Sequence, residues 1–289
     1  MYQILTDTGC DLPQQLLNDY SLQTVPFHYT VNGALHTDQL GDRHSNDAVY
    51  ADLHAAAQVS TTQINVGEYV DFFGPFVEAG TPILYIGFCG ALSGSLDSAR
   101  QARTLLKDAH PDAQIAIVDS VAASGGEGLL VLAAAAQQQA GASLEQVVNW
   151  LEANKLRMNH WVTVSDLDHL VRGGRLPRAV AALGAVLNIK PMLAIDAQGK
   201  VALAGKVRSR KKALATLAAK VNAALDAVPD QQVMVASAGD WPAADEVVAL
   251  IQAAHPATQV LVRPVSLTIA CHTGYGCVAV FAMTPAARD

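Results

Sequence analysis

The stretch Ile83-Leu84-Tyr85-Ile86-Gly87-Phe88-Cys89-Gly90-Ala91-Leu92-Ser93-Gly94-Ser95-Leu96-Asp97-Ser98-Ala99 decides the fold class. Its first four residues are continuously apolar and follow Pro82, the pattern of a strand buried on both faces of a parallel sheet. From Ser95 the period changes. Leu96, Ala99, Ala102, Leu105 and Leu106 form a helical stripe, with Arg100, Arg103 and Lys107 turned towards water. The loop between strand and helix consists largely of Gly, Ala and Ser. A small-residue loop that opens a helix leaves backbone N–H groups unpaired at the positive end of the helix dipole. Such a place suits a carboxylate or a phosphate, and Ser93 and Ser95 add hydroxyls there. An ordinary strand–helix turn with Ser95 as N-cap fits the same letters.

Outward from this unit, strands and helices alternate. Strands are expected over Tyr2–Leu5, Leu22–Tyr29 and Ile115–Val118. Helices are expected over Leu12–Asn18, Asn46–Ala57 (capped by Ser45), Val66–Glu78 (capped by Asn65) and Gly126–Gln139. Ser143 with Gln146 forms a capping box for a helix reaching about Met158. That order predicts an N-terminal α/β domain, residues 1–158, around a parallel sheet covered on both faces.

The second half reads differently and predicts a C-terminal α+β domain, residues 159–289. Strands are expected over Trp161–Val164, Gln232–Ala236, Gln259–Pro264 and Val278–Ala282, with a hairpin turning at Asp196–Gly199. Helices are expected over Leu167–Leu170, Leu176–Leu187, Ser209–Val228 and Ala243–Ala254. No flexible linker separates the halves, so they should pack together, and such an interface favours a ligand.

The chain has 289 residues, 51% hydrophobic and 16% charged, which is ample material for a core. A net charge of -7 argues against nucleic acid as the main partner. Cys10, Cys89, Cys271 and Cys277 have no CxxC spacing and read as free buried thiols. No signal peptide or membrane-length apolar run is evident, so a cytoplasmic protein is expected.

Candidate chemistry lies at the ends of strands. Besides the central loop these are Thr6-Asp7-Thr8, Ser60-Thr61-Thr62-Gln63, Asp119-Ser120, Arg172-Gly173-Gly174-Arg175, Arg208-Ser209-Arg210 and His272-Thr273-Gly274-Tyr275-Gly276. Carboxyl-end loops of an open α/β sheet converge on one crevice, and Ser, Thr, Arg and His are donors suited to an anion. Asp7, Asp11 and Asp119 read as helix or turn caps rather than metal ligands, and Cys271, His272 and Cys277 lack zinc spacing. A P-loop, a G-x-G-x-x-G and a G-x-S-x-G elbow are all absent from the sequence, so no nucleotide cofactor is expected.

Taken in order, these blocks resemble the DegV family of bacterial fatty-acid-binding proteins, from residue 4 to about residue 282. The resemblance is carried by Thr6-Asp7-Thr8-Gly9-Cys10-Asp11-Leu12, Ser60-Thr61-Thr62-Gln63, Leu92-Ser93-Gly94-Ser95, Val118-Asp119-Ser120 and Gly173-Gly174-Arg175-Leu176. Leu187-Asn188-Ile189-Lys190-Pro191, Lys206-Val207-Arg208 and His272-Thr273-Gly274 complete the set. It implies a two-domain α/β fold with a lipid tunnel, and a carrier subunit that does no chemistry alone. The carrier would present a long-chain fatty acid to an ATP-using fatty acid kinase subunit, which forms an acyl phosphate for phospholipid synthesis. The resemblance further implies that Thr61, Thr62, Ser93, Gly94, His272 and Thr273 hold the carboxylate. Arg172, Arg175 and Arg208 would form a patch at the head-group opening, facing the kinase or the phosphate. Thr61-Thr62-Gln63-Ile64-Asn65 departs from the family's usual Thr-Ser-Gln-Pro-Ser but keeps the hydroxyls, and Tyr275 replaces a proline. Two alternatives stay open at this level: a small-molecule kinase or transferase with Ser93 or His272 acting covalently, and a lipid sensor using the same pocket.

Overall fold

A computed structural model of the chain describes residues 2–55, 57–179 and 189–289. It begins with β1 (Gln3–Asp7) and, after Pro13, α1 (Gln14–Asp19). The strand expected over Leu22–Tyr29 is two strands in different sheets, β2 (Gln23–Val25) and β3 (His28–Val31). Pro26 between them has no N–H to give a ladder. Asn32 and Gly33, both at positive φ, turn the chain from β3 into β4 (Ala34–Thr37). In α2 (Asp47–His54) Ser45 is not the cap: its Oγ donates to the Asp42 carbonyl, and Asn46 occupies the N-cap position. Then β5 (Val59–Thr62) returns alongside β3, completing a small sheet in the order β4-β3-β5 that the sequence reading did not foresee.

Asn65 and Glu68 form a capping box that starts α3 (Val66–Glu78). The central unit follows as β6 (Ile83–Gly87) and α4 (Ser95–Ala109). Gly94, not Ser95, is the N-cap of α4, and Leu105 is 54% exposed, so the buried stripe is narrower than the sequence suggested. Next come β7 (Ile115–Asp119), α5 (Gly125–Gln139) and α6 (Leu144–Asn154), the last with the expected Ser143–Gln146 capping box. The sheet order is β2-β1-β6-β7, and every pairing in it is parallel. Ile83 and Tyr85 face α3 and α4, whereas Leu84 and Ile86 face the cluster containing α5. Both faces are covered, which is why β6 reads as continuous hydrophobe.

The remaining strands form a second sheet. Its elements are β8 (Met158–Thr163), α7 (Asp168–Arg172), β9 (Ile189–Ile195), β10 (Val201–Arg208) and α8 (Arg210–Ala227). After them come β11 (Val233–Ser237), α9 (Trp241–Ala254), β12 (Val260–Pro264), α10 (Leu267–Thr273) and β13 (Val278–Met283). The helix expected over Leu176–Leu187 lies mainly outside the described residues. Strand order is β10-β9-β8-β13-β11-β12, antiparallel except between β11 and β12. On one face Val278 and Val280 pack against α8 and α9; on the other Ala279 and Phe281 join the cluster that includes α5. Residues Gly125 to Leu132 of α5 are all buried, as expected of a helix held between two layers. The short α10, which carries His272, was missed in the sequence because seven residues are too few to establish a helical period.

Candidate functional site

The loop after β6 spends nearly all of its amides on the protein. Phe88 N–H donates to Asp7 Oδ2 at 2.9 Å, and Cys89 N–H to the Ala122 carbonyl at 2.9 Å. Gly90 N–H reaches both oxygens of Asp119 at 3.3 Å, while Leu92 and Ser93 N–H donate to the Cys89 carbonyl at 3.0 and 3.2 Å. Ser95 N–H donates to Ser93 Oγ at 3.2 Å. Gly94 N–H has no acceptor among the described residues. A side chain at Gly94 would collide with its neighbour, because a Cβ there would lie 2.2 Å from Gln63 Oε1. Asp7 and Asp119 thus cap this region as the sequence suggested, holding the loop from behind.

Hydroxyls converge in front of the loop. Ser93 Oγ lies 2.9 Å from Ser95 Oγ, which accepts the Ile64 N–H at 3.0 Å. Thr61 Oγ1, at the end of β5, lies 2.9 Å from His272 Nε2 on α10. Burial, helped by the nearby Arg175 and His169, pushes the His272 pKa down to about 4, so the imidazole is neutral at physiological pH. Its Nδ1 is buried with no hydrogen-bond partner among the described residues. The Thr62 hydroxyl also has no partner among the described residues. Thr273 Oγ1 is turned to the Ile269 carbonyl of its own helix at 3.3 Å.

These groups line one end of a cavity of about 270 Å³ between the two sheets. Thr61, Thr62, Gln63, Ser93, Gly94, Arg175, His272 and Thr273 all border it, so the structure brings together every carboxylate-site residue singled out in the sequence. The rest of the lining is chiefly apolar and includes Phe27, Phe88, Val162, Leu193, Ala279 and Phe281.

Arg175 does more than face outward. Its Nε and one terminal nitrogen donate to the Leu92 carbonyl at 2.9 and 2.8 Å, and the other donates to the Gly173 carbonyl at 2.7 Å. Among the described residues no carboxylate forms an ion pair with it, and burial alone lowers its pKa. The cavity therefore has a half-buried positive charge with no counter-ion among the described residues. Arg172, at the end of α7, and Arg208, at the end of β10, are exposed and do not line the cavity.

Behind the polar end lie acids that the sequence reading did not connect to it. Asp38 accepts the Leu267 and Thr268 N–H groups at 3.2 and 2.9 Å, fixing the start of α10. Asp11 accepts the Ser266 N–H at 2.9 Å and the hydroxyl of Ser124. Burial raises their pKa values to about 6 for Asp38 and about 7 for Asp11. Glu127, in the first turn of α5, is pushed strongly upward by burial and by the neighbouring Asp7, and it accepts from Thr6 Oγ1 at 2.9 Å. Their spacing in sequence gave no signal, because residues far apart along the chain supply the contacts.

A family model described as "Uncharacterised protein, DegV family" matches residues 1–284. The chain belongs to the DegV family. A DegV domain-containing protein of Clostridium perfringens is 34% identical over 280 residues, covering 97% of this chain and 96% of that protein. Among solved DegV-like structures, a stearic acid-binding protein of Eubacterium ventriosum matches with a TM-score of 0.88 at 25% identity, covering 98% of each chain. A Thermus thermophilus DegV family protein, described for its fatty acid binding, matches with a TM-score of 0.83 at 28% identity over 98% of this chain and 99% of that one. The two-domain α/β character expected from the resemblance is thus the DegV fold. Among the described residues no helix is long and apolar enough to cross a membrane.

Proposed function

We propose that the chain binds a long-chain fatty acid in the cavity between its sheets and acts as a carrier. The observation that supports this most directly is the pairing of an apolar cavity with a polar end that has donors and a positive charge but no carboxylate. In this reading the fatty carboxylate accepts from the Gly94 N–H and the hydroxyls of Thr61, Thr62 and Ser93, beside His272, with Thr273 adjoining. Arg175 supplies charge compensation through space. The acyl chain lies against the apolar lining, where each buried methylene contributes about 0.8 kcal/mol.

As a carrier, the protein would present the carboxylate to a separate ATP-using kinase subunit in the cytoplasm, which converts it to an acyl phosphate. The exposed Arg172 and Arg208 are the residues assigned to that encounter. An organic extract of the purified protein, analysed by mass spectrometry, tests the binding reading. A stoichiometric fatty acid is expected. A clean extract, together with no stabilisation on adding palmitate or oleate, overturns it. Phosphorylation of the bound acid by a partner kinase, absent without the carrier, tests the second step.

A further inference from the structure

Resting on the fatty-acid reading above, we propose that the His160–Phe281 ring pair is the end stop that sets the longest acyl chain the cavity accepts. In the antiparallel pairing of β8 with β13, His160 lies directly opposite Phe281, and Val162 opposite Ala279. Alternate residues of a strand share a face, and all four border the cavity. Cys277 borders it as well, on the same face as Ala279 and Phe281, so the floor from Cys277 to Phe281 spans about 13 Å at ~3.3 Å per residue. Along that floor the lining changes from the methyl of Ala279 to the ring of Phe281. The two rings meet edge to face, 5.4 Å between centroids and 90° between planes.

This wall cannot recede. The Ala123 N–H donates to His160 Nε2 at 3.2 Å and holds the imidazole in place. Directly behind the rings runs the glycine start of α5. A Cβ on Gly126 would lie 2.2 Å from His160 Nε2, and one on Gly125 would lie 2.6 Å from Phe281 Cδ2 and 2.4 Å from Met234 Sδ. With helix backbone against the rings, a chain that reaches them and is one methylene too long must overpack the wall. The Gly125-Gly126 pair, which in the sequence only interrupts an apolar run, is what lets α5 stand so close.

The test is a series of dissociation constants for saturated acids from dodecanoic to docosanoic, measured on the full chain and on Phe281→Ala. Affinity of the unaltered protein should rise with length to a cut-off and then fall. In Phe281→Ala, acids just beyond that cut-off should bind about 10-fold tighter or more, the discrimination one methylene commands at a rigid wall. Shorter acids should keep their affinity to within a few fold. Phe281→Leu, a gentler truncation, should move the cut-off in the same direction and replaces the alanine variant if that one does not fold. An unchanged cut-off in a folded variant, or no cut-off in the unaltered protein, overturns the end stop while leaving fatty acid binding intact. Absence of binding at every length instead overturns the binding reading on which the inference rests.

Discussion

At one end of the cavity Thr61, Ser93 and His272 present hydroxyls and a neutral imidazole; at the other, Phe281 and His160 present two rings edge to face. The polar end is braced from behind by carboxyls: Asp7 on the Phe88 N–H, Asp119 on Gly90, Asp38 on the start of α10. The apolar end is braced by the backbone of two glycines. Acids can gain or lose protons, whereas glycine backbone offers nothing to titrate and no side chain to repack. The contrast separates an end braced by titratable side chains from an end braced by backbone.

The largest expected effect is on stability, through the acids behind the polar end. Asp11 and Asp38 hold protons in the folded state up to about pH 7 and about pH 6, against an ordinary value of 3.8. Between those limits the folded chain binds more protons than the unfolded one, so stability falls as pH rises. The melting temperature should therefore drop between about pH 4 and pH 7, and Asp11→Asn should flatten the profile. A melting temperature that climbs over this range in the unaltered protein contradicts the assignment.

Next in size, Arg175→Ala removes the one charge facing the ligand and frees the Leu92 carbonyl. It should weaken fatty acid binding by about 1–3 kcal/mol, the scale of leaving a buried polar group such as the Leu92 carbonyl without its partner. Titration calorimetry reading less than a few-fold change would mean that Arg175 serves the fold alone. Ser93→Ala should cost about 1–2 kcal/mol of affinity if its hydroxyl meets a buried carboxylate; unchanged affinity removes Ser93 from the site. The smallest effect belongs to Arg208→Ala, exposed and off the cavity. Lipid affinity should stay within about 0.5 kcal/mol, while phosphorylation by the partner kinase slows. Loss of lipid binding in that variant would bring Arg208 into the cavity's own chemistry.

Much of this was legible beforehand. The apolar run of β6, the cap at Asn65, the capping box at Ser143 and the Asp196–Gly199 hairpin are local patterns, and local patterns survive into the fold. The residues that the resemblance assigns to a carboxylate lie in ordered blocks of the sequence, and the structure gathers them around one cavity. What escaped notice depends on partners far away in sequence. Leu105 fits the stripe of α4 yet faces solvent, because no second layer covers that edge of the helix. Ser45 looked like a cap, but its hydroxyl found the Asp42 carbonyl. The small sheet β4-β3-β5, which delivers Thr61, depends on the turn at Gly33 and on β3 pairing with β5 beyond the intervening α2.

By itself, the sequence determined the alternation of strands and helices, the donor-rich loops and the family, since each rests on residues close together in the chain or on their order. Only the tertiary structure decided which donors remain free. Phe88, Cys89 and Gly90 N–H are consumed by Asp7, Ala122 and Asp119, and Gly94 N–H is left without an acceptor among the described residues. It likewise decided that Arg175 donates to the Leu92 carbonyl and that two glycines stand against Phe281 and His160. A hydrogen bond is satisfied or left open by whatever the fold brings within about 3 Å, and that distance is written nowhere in the order of the residues.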